Sequence, residues 1–466
     1  MAAVARNYGV FALAIGIVLT GVAMLAFGIA NVAAGVVVVC GVLQAIVARP
    51  RPRRSVVGVD GTVVPALATI RRASLPDFQW DVLLNRPPAA IDLALVEPYV
   101  RDNTVLVTGA GGSIGSEICR QVATLEPKLL VLLGHGENSL FAIQQELNER
   151  GFLRTKIVLA DVGDIQAVRN VFARCQPDIV LHAAAHKHVP ILEENVCEAV
   201  RNNVFGTHNV ALAAAAAGTS RVVLLSTDKA VRPTSVMGAT KRTCELICQS
   251  FAHRTPTEFV SVRFGNVLGS RGSVLPLFIH QIRNGGPVTI THRDMQRFFM
   301  TIPEAVSLVL QAMVMGDDGQ VFVLDMGKPL RIIDVARRVI ELHGLIPNKD
   351  IEIVETGMRP GERLHEELLT EVEGMTQTSH QRLWIAQQER LEYDVLAAAI
   401  ADMERAVRIS DAHEAISILK SLVPTFTPGQ HLLPQPPPEA ERINVIHGVA
   451  ANNGNGIVPH YSPASA

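Results

Sequence analysis

No charge of either sign dominates the chain. Over 466 residues, 42 Lys and Arg face 44 Asp and Glu, a net charge of −2. That balance removes the global reason to expect a nucleic-acid partner. Cysteine is sparse: Cys40, Cys119, Cys175, Cys197, Cys244 and Cys248 form no CxxC pair. Neither a structural zinc site nor a disulfide framework is therefore indicated. Cys244 and Cys248 lie one helical turn apart, and a buried helix face accounts for them more simply than a metal does. His182, His186 and His188 cluster but have no carboxylate in ligand spacing, so no metal is expected.

Charge is missing altogether from Asn7 to Ala48. A membrane-spanning helix needs roughly 20 apolar residues, so this run can supply two. Helices are expected at about 9–28 and 31–48, with the break near Gly28-Ile29-Ala30-Asn31. Arg6 precedes the run and Arg49-Pro50-Arg51-Pro52-Arg53-Arg54 follows it. Basic flanks stay on the cytoplasmic side, so the expectation is a transmembrane hairpin in the bilayer of a bacterial inner membrane, with the remaining chain in the cytoplasm. A secretory signal is disfavoured, because the run is too long and ends in a basic cluster instead of a small-residue cleavage site.

What is present after the hairpin (1–48) is a basic, Pro-rich linker (49–102) and then alternation of short apolar runs with amphipathic helical patterns. Strands are expected at Thr104–Thr108, Lys128–Leu133, Lys156–Leu159, Asp178–His182, Arg221–Leu225 and Phe259–Arg263. The longest helical stretch is expected from Pro190 to Gly218. This is the pattern of an α/β fold, a Rossmann-type doubly wound parallel sheet. The core is assigned to 103–263. A smaller C-terminal substrate lobe with returning core elements is assigned to 264–422, and a Pro-, Asn- and Gly-rich disordered tail to 423–466.

The first strand runs directly into Gly109-Ala110-Gly111-Gly112-Ser113-Ile114-Gly115 and then a helix. In that setting the glycines read as a dinucleotide loop: Gly109 for the tight turn, Gly112 for backbone approach to a pyrophosphate, and Gly115 for close packing of helix on strand. Thr108 precedes it, and Ser113 and Ile114 lie within it, all three beside the expected cofactor. Phosphates would rest on the helix N-terminus. The second strand should end in an acid for the adenosine ribose, but the chain reads Leu133-Gly134-His135-Gly136-Glu137. Glu137 is the nearest carboxylate, and it serves equally well as a helix-start acid. No arginine stands there for a 2′-phosphate, so NAD is favoured and NADP stays open. Asp161-Val162 suits the adenine, and Ala183-Ala184-Ala185 lets backbone pass the nicotinamide half.

The fifth strand ends in Ser226-Thr227-Asp228-Lys229-Ala230, followed by Met237 and Lys241. Short-chain dehydrogenases place Tyr-x-x-x-Lys on one helix face, where the lysine lowers the tyrosine's pKa. Here the lysine is present, but methionine, which has no proton to exchange, replaces the tyrosine.

Taken with Thr108–Arg120 (TGAGGSIGSEICR), His182–Pro190 (HAAAHKHVP), Asn202–Asn209 (NNVFGTHN), Ser226–Arg242, Arg263–Ser273 (RFGNVLGSRGS), Arg297–Thr301 (RFFMT) and Gly357–Leu369 (GMRPGERLHEELL), the sequence resembles a known family. These are the membrane-anchored nucleotide-sugar 4,6-dehydratases of bacterial polysaccharide biosynthesis, which are extended short-chain dehydrogenase/reductases. The membrane-bound subgroup also carries the methionine and includes UDP-N-acetylglucosamine 4,6-dehydratases that retain C5 configuration. Its longer members usually have about four membrane helices and an additional Rossmann-like domain, where two candidate helices and a short linker are expected here. The resemblance implies a lyase acting on a UDP-sugar. The chemistry gives Asp228 as acid, its pKa raised by burial, and Lys229 as base, kept neutral by burial and Lys241. Thr227 would hold the C4 hydroxyl and Lys241 the nicotinamide ribose. Lys187 and Asn203 are expected on the sugar side, Asn203 also beside the cofactor. Asn266, Ser273 and Arg297 are expected to touch the nucleotide-sugar, with Arg359 at the diphosphate and Glu362 at the nucleoside ribose. Helix pairs of this fold commonly form subunit interfaces, so a homo-oligomer is expected. A UDP-sugar 4-epimerase and a C5-inverting dehydratase are the alternatives, both disfavoured by Met237. A membrane scaffold for glycan assembly is a third, disfavoured by the intact Thr227-Asp228-Lys229 and Lys241.

Overall fold

The computed structural model describes residues 92–368, 374–387 and 391–433, together with Leu84 and two short strands at 56–57 and 63–64. The expected transmembrane hairpin at 9–28 and 31–48 lies outside the described residues. Among the described residues, no helix is long and apolar enough to cross a membrane. Met1–Ile70 is a separate unit from Arg71–Ala466. In the first, Val56–Val57 pairs antiparallel with Val63–Val64.

The second unit is built on a nine-stranded sheet. Its strands are β1 (Thr104–Thr108), β2 (Leu129–Gly134), β3 (Thr155–Leu159), β4 (Ile179–His182), β5 (Arg221–Leu225), β6 (Glu258–Arg263), β7 (Val321–Leu324), β8 (Met375–Gln377) and β9 (Leu383–Ala386). Their order across the sheet is β8-β9-β7-β6-β5-β4-β1-β2-β3. Every pair from β3 to β7 is parallel, while β9 runs antiparallel to both β7 and β8. β1 pairs with β2 on one side and β4 on the other, so the winding reverses at β1. The loops leaving β1 and β4 diverge there and open a crevice at the strands' carboxyl ends.

Both faces of the sheet are covered, which is why its strands read as continuous apolar runs. Val105 and Val107 face one layer and Leu106 the other. The first layer holds α1 (Leu93–Val100), α2 (Ser113–Thr124) and α3 (Glu137–Glu149). The second holds α4 (Ile165–Cys175), α5 (Gly206–Ala217) and α6 (Val236–Phe251). A smaller third core joins α7 (Val274–Arg283) to the parallel pair Val288–Ile290 and Ile353–Glu355. After α8 (Ile302–Met315), which packs on the first layer, α9 (Ile332–Leu342) completes that third core. α10 (Tyr393–Arg408) and α11 (Ala412–Leu422) return to the second layer and pack on α6.

Three sequence expectations change. The linker does not extend to residue 102, because Val96 and Val100 of α1 are fully buried in the first layer. The helix expected from Pro190 to Gly218 is interrupted at Asn195 and widens into a π-helical turn over Val200–Phe205. That wider turn points two consecutive residues, Asn202 and Asn203, inward. The tail does not lose order at 423: Val423, Phe426 and Leu432 are buried in the second layer, and the Thr427 amide bonds the Pro233 carbonyl at 2.9 Å. Apolar residues at these positions outweigh the prolines around them.

Candidate active site

Gly109 adopts φ +65°, and a Cβ there would come within 2.8 Å of the Ala183 carbonyl oxygen. A Cβ on Gly115 would come within 2.1 Å of the Gly109 carbonyl. The two glycines therefore let β1, its turn and α2 meet without side chains between them. α2 begins at Ser113 with Gly112 as its cap and no side-chain cap bond, so its first-turn N–H groups face the crevice without intrahelical partners. A cleft of about 250 Å³ follows, lined by Gly109, Gly112, Gly134, Val162, Ala183–Ala185 and Asn202, among others.

The structure separates the expected cofactor residues into those that line this cleft and those that shape it. Gly109, Gly112, Val162, Ala183, Ala184 and Ala185 line it. Gly115 lies beneath the turn, and Ile114 packs into the first layer. Ser113 offers its hydroxyl oxygen to the Arg271 amide at 3.0 Å. Glu137 opens α3 on the surface, outside the lining, where the wall is Gly134, His135, Gly136 and Ser139. Asp161 accepts the Gly163 amide at 2.8 Å, forming the turn that places Val162.

Thr108 is spent on a buried relay instead of facing the cleft. It accepts the Ala184 amide at 3.2 Å and donates to Nδ1 of His182 at 2.7 Å. Nε2 of His182 then donates to the Thr207 hydroxyl at 3.1 Å, whose proton goes to the Asn203 carbonyl at 2.7 Å. This order requires a neutral imidazole. Burial, with the Lys241 charge adding to it, pushes His182 down to about 3. Asn203, expected as a ligand contact, is fully engaged as well. Its Oδ1 accepts from His186 N (2.8 Å) and Asn202 Nδ2 (2.9 Å), and its Nδ2 donates to His186 O (3.2 Å) and Thr240 Oγ1 (3.1 Å). It pins the loop after β4 to α6.

The catalytic segment leaves β5. Thr227 caps a short 3-10 turn over Asp228–Ala230 and donates its hydroxyl to Asp228 Oδ1 at 2.8 Å. Lys229 Nζ donates to the same oxygen at 3.0 Å and to Asn266 Oδ1 at 3.2 Å. Asp228 is 0% exposed, and its Oδ2 has no hydrogen-bond partner. A Cβ on Gly238 would lie 2.2 Å from the Lys229 carbonyl, so glycine is what seats the start of α6 directly on this turn. α6 then carries Met237, buried in the second layer, and Lys241. Among the described residues, Lys241 Nζ makes no hydrogen bond.

Lys229 departs from expectation. Burial favours its neutral form, but the carboxylates of Asp228 and Glu366 outweigh burial and raise its pKa, so it rests as an ammonium. Lys241 is not among the causes. Glu366, which sequence reasoning missed, reaches Lys229 Nζ at 3.6 Å with a side chain only 3% exposed. Behind the site, Glu245 is fully buried and receives Ser226 (2.6 Å), both arms of Arg263 (2.8 Å each) and Arg242 (2.9 Å). Burial would raise its pKa, but Arg263 and Arg242 outweigh it and hold it at about 2.

The expected substrate residues divide in the same way. Asn266 meets Lys229, as above. Lys187 Nζ lies 3.3 Å from Ser270 Oγ, its pKa lowered by burial and then by Arg271. Ser273 presents a buried hydroxyl without a partner. Arg297 braces the chain at Gln296, Arg363 and Leu364 by bonding their carbonyls. Arg359 and Glu362 pair with each other, the Arg359 side chain 59% exposed and that of Glu362 only 9%. Arg271, not anticipated, hydrogen-bonds the Gly111 carbonyl and lines the cleft.

Comparison with known proteins agrees with this geometry. Residues 105–388 match the family described as polysaccharide biosynthesis protein. The chain is 52% identical to the capsular polysaccharide biosynthesis protein CapD of Staphylococcus aureus over 314 residues, covering 67% of this chain and 52% of that one. It is 47% identical over 339 residues to the probable polysaccharide biosynthesis protein EpsC of Bacillus subtilis, covering 72% and 56%. The chain thus spans about half the length of these curated relatives. Among solved structures, it is similar to Pen from Bacillus thuringiensis, with 34% identity, a TM-score of 0.59, and coverage of 63% of this chain and 92% of that one.

Proposed function

The chain belongs to the polysaccharide biosynthesis protein family, and from that premise we propose that it is a nucleotide-sugar 4,6-dehydratase. Its substrate would be UDP-N-acetylglucosamine or a related UDP-sugar, and its cofactor NAD, with NADP as the other candidate. The observation that carries this reading is the Thr227-Asp228-Lys229 turn seated on α6, with methionine where a tyrosine would stand. A dinucleotide fits the cleft after β1, because side chains at Gly109 or Gly115 would fill the cradle its phosphates need. Lys241, with its free amine, is the residue for the nicotinamide ribose.

A nicotinamide held by the glycine turn and Lys241 would supply hydride transfer between the sugar's C4 and C6. The protein's part is to move protons. Thr227 positions the C4 hydroxyl, and its proton passes to the Asp228 carboxylate. Asp228, now an acid, gives that proton to the departing O6 hydroxyl, which leaves as water. Lys229, as the amine, takes the C5 proton and returns it to C5 when the hydride reaches C6. Product and water together balance the substrate, and the cofactor ends as it began. Met237 holds no exchangeable proton, so the tyrosine that serves O4 in an ordinary epimerase has no counterpart here, and Asp228 takes the O4 proton in its place.

The same reading holds the catalytic body at the cytoplasmic face of a bacterial inner membrane through the uncharged run Asn7–Ala48. The test is incubation of the full chain with UDP-N-acetylglucosamine and NAD. A product lighter by one water, with no net NADH, is expected, and Asp228→Asn or Lys229→Met should lower turnover by at least about 100-fold. A new sugar of unchanged mass would make it an epimerase, and no conversion of any UDP-sugar would leave the scaffold.

A further inference from the structure

Two buried carboxylates sit within the reach of cations in this region, and they are treated in opposite ways. Glu245 is saturated: every donor around it is a hydrogen bond of 2.6–2.9 Å. Glu366 is not. Arg297 Nε stands 3.7 Å away and Arg363 Nε 3.8 Å away, both beyond hydrogen-bond distance. The hydrogen bonds of Arg297 go to backbone carbonyls of 296, 363 and 364, and those of Arg363 to Val231 and Arg232. Glu366 Oε2 is buried without any hydrogen-bond partner. A carboxylate kept for structure is hydrogen-bonded, and one left bare in the interior calls for another reason. The same is true of Asp228 Oδ2, and both carboxylates meet one ammonium, Lys229, at 3.0 and 3.6 Å.

We propose that Glu366, carried by the segment that follows the third core, is a positioning residue that takes up the proton of Lys229 and gives it back. This rests on the dehydratase reading above. Lys229 begins as an ammonium, yet C5 needs an amine. Transfer of the C4 hydroxyl proton to Asp228 neutralises the carboxylate 3.0 Å from Nζ. Among the described residues, Glu366 is then the remaining anion beside the ammonium, and Arg297 opposes the positive charge. The N–H bond breaks, an O–H bond forms on Glu366, and the nitrogen keeps its electron pair for the C5 proton. At the end of the cycle, after C5 is reprotonated, Glu366 returns its proton to Nζ. No charge leaves the site.

Two measurements on the full chain test this. The first is amine labelling of Lys229 followed by peptide mass analysis from neutral to alkaline pH. Glu366→Gln removes one of two anions, so labelling should begin about one pH unit lower than in the wild type. The second is turnover of UDP-N-acetylglucosamine. Glu366→Gln should lose about 100-fold in kcat near neutrality, with KM nearly unchanged. It should recover as pH rises, because solvent then deprotonates Lys229 in place of Glu366. An unshifted labelling profile, or a loss in kcat that stays constant with pH, would overturn the proposal. Should Glu366→Gln fail to fold, Glu366→Asp, with its carboxylate one methylene further from Nζ, carries both measurements with smaller changes. A wild-type chain that releases no dehydrated sugar overturns the dehydratase reading instead, and the labelling profile then decides the hold of Glu366 on Lys229 by itself.

Discussion

Glu245 depends on the positive charges around it, and its depressed pKa makes that dependence measurable. Its folded pKa of about 2 lies below that of an unfolded glutamate. It therefore contributes stability above the ordinary carboxylate range, and that contribution is lost as pH falls toward 2. Glu245→Gln leaves Arg263, itself fully buried, without its counter-charge, and should cost about 3 kcal/mol near neutral pH. Urea unfolding across a pH series should show the difference from wild type shrinking on the acid side; a difference independent of pH would mean that charge is not its source. At this scale, the placement of Asp228 and Lys229 was legible because they follow a strand, and that of Lys241 because it lies one helical turn past Met237. The charge state of Lys229 was not, since it depends on the balance of burial against Asp228 and, next to it, Glu366. That residue lies in a stretch, 356–368, with neither helix nor strand. Without a period, nothing in Arg359-Pro360-Gly361-Glu362-Arg363-Leu364-His365-Glu366-Glu367 says which acid turns toward Lys229, and Glu362, the sequence choice, pairs with Arg359 instead.

Elements whose parts adjoin in sequence were read well. β1, the glycine turn and α2 are one continuous stretch, and α2 starts at Ser113, directly after Gly112. Gly115→Ala should weaken NAD binding by at least about tenfold, because a Cβ 2.1 Å from the Gly109 carbonyl can be relieved only by moving backbone. Calorimetric titration with NAD checks this, and an affinity equal to wild type would mean the turn is softer than the packing implies. The π-helical turn over Val200–Phe205 was invisible by contrast. Its residues suit a helix, and the wider turn shows only in the inward placement of both Asn202 and Asn203. Residues 423–433 were misread for a related reason: composition pointed to disorder, while Val423, Phe426 and Leu432 found a groove of the tertiary fold.

For the whole molecule, the parallel sheet, its reversal at β1, a smaller third core and a return of core elements after residue 264 follow from the alternation of runs, whereas which segments return, namely β7, β9, α10 and α11, could not be read from local pattern. The membrane proposal belongs to this scale too. The full chain should stay with carbonate-washed membranes, and a chain beginning near residue 60 should appear in the supernatant with its turnover retained. Full-length protein in the supernatant would remove the anchor. Finally, the ion triad of Asp228, Lys229 and Glu366 draws on two stretches far apart in the chain. In recombination between relatives, a crossover between them would join one parent's ammonium to another parent's acid. Hybrids should keep function only when both stretches come from the same ancestor, or when the donor also places a carboxylate at the position of Glu366. Residues 226–366 are in that sense a single unit of inheritance, although they span the boundary between sheet and lobe.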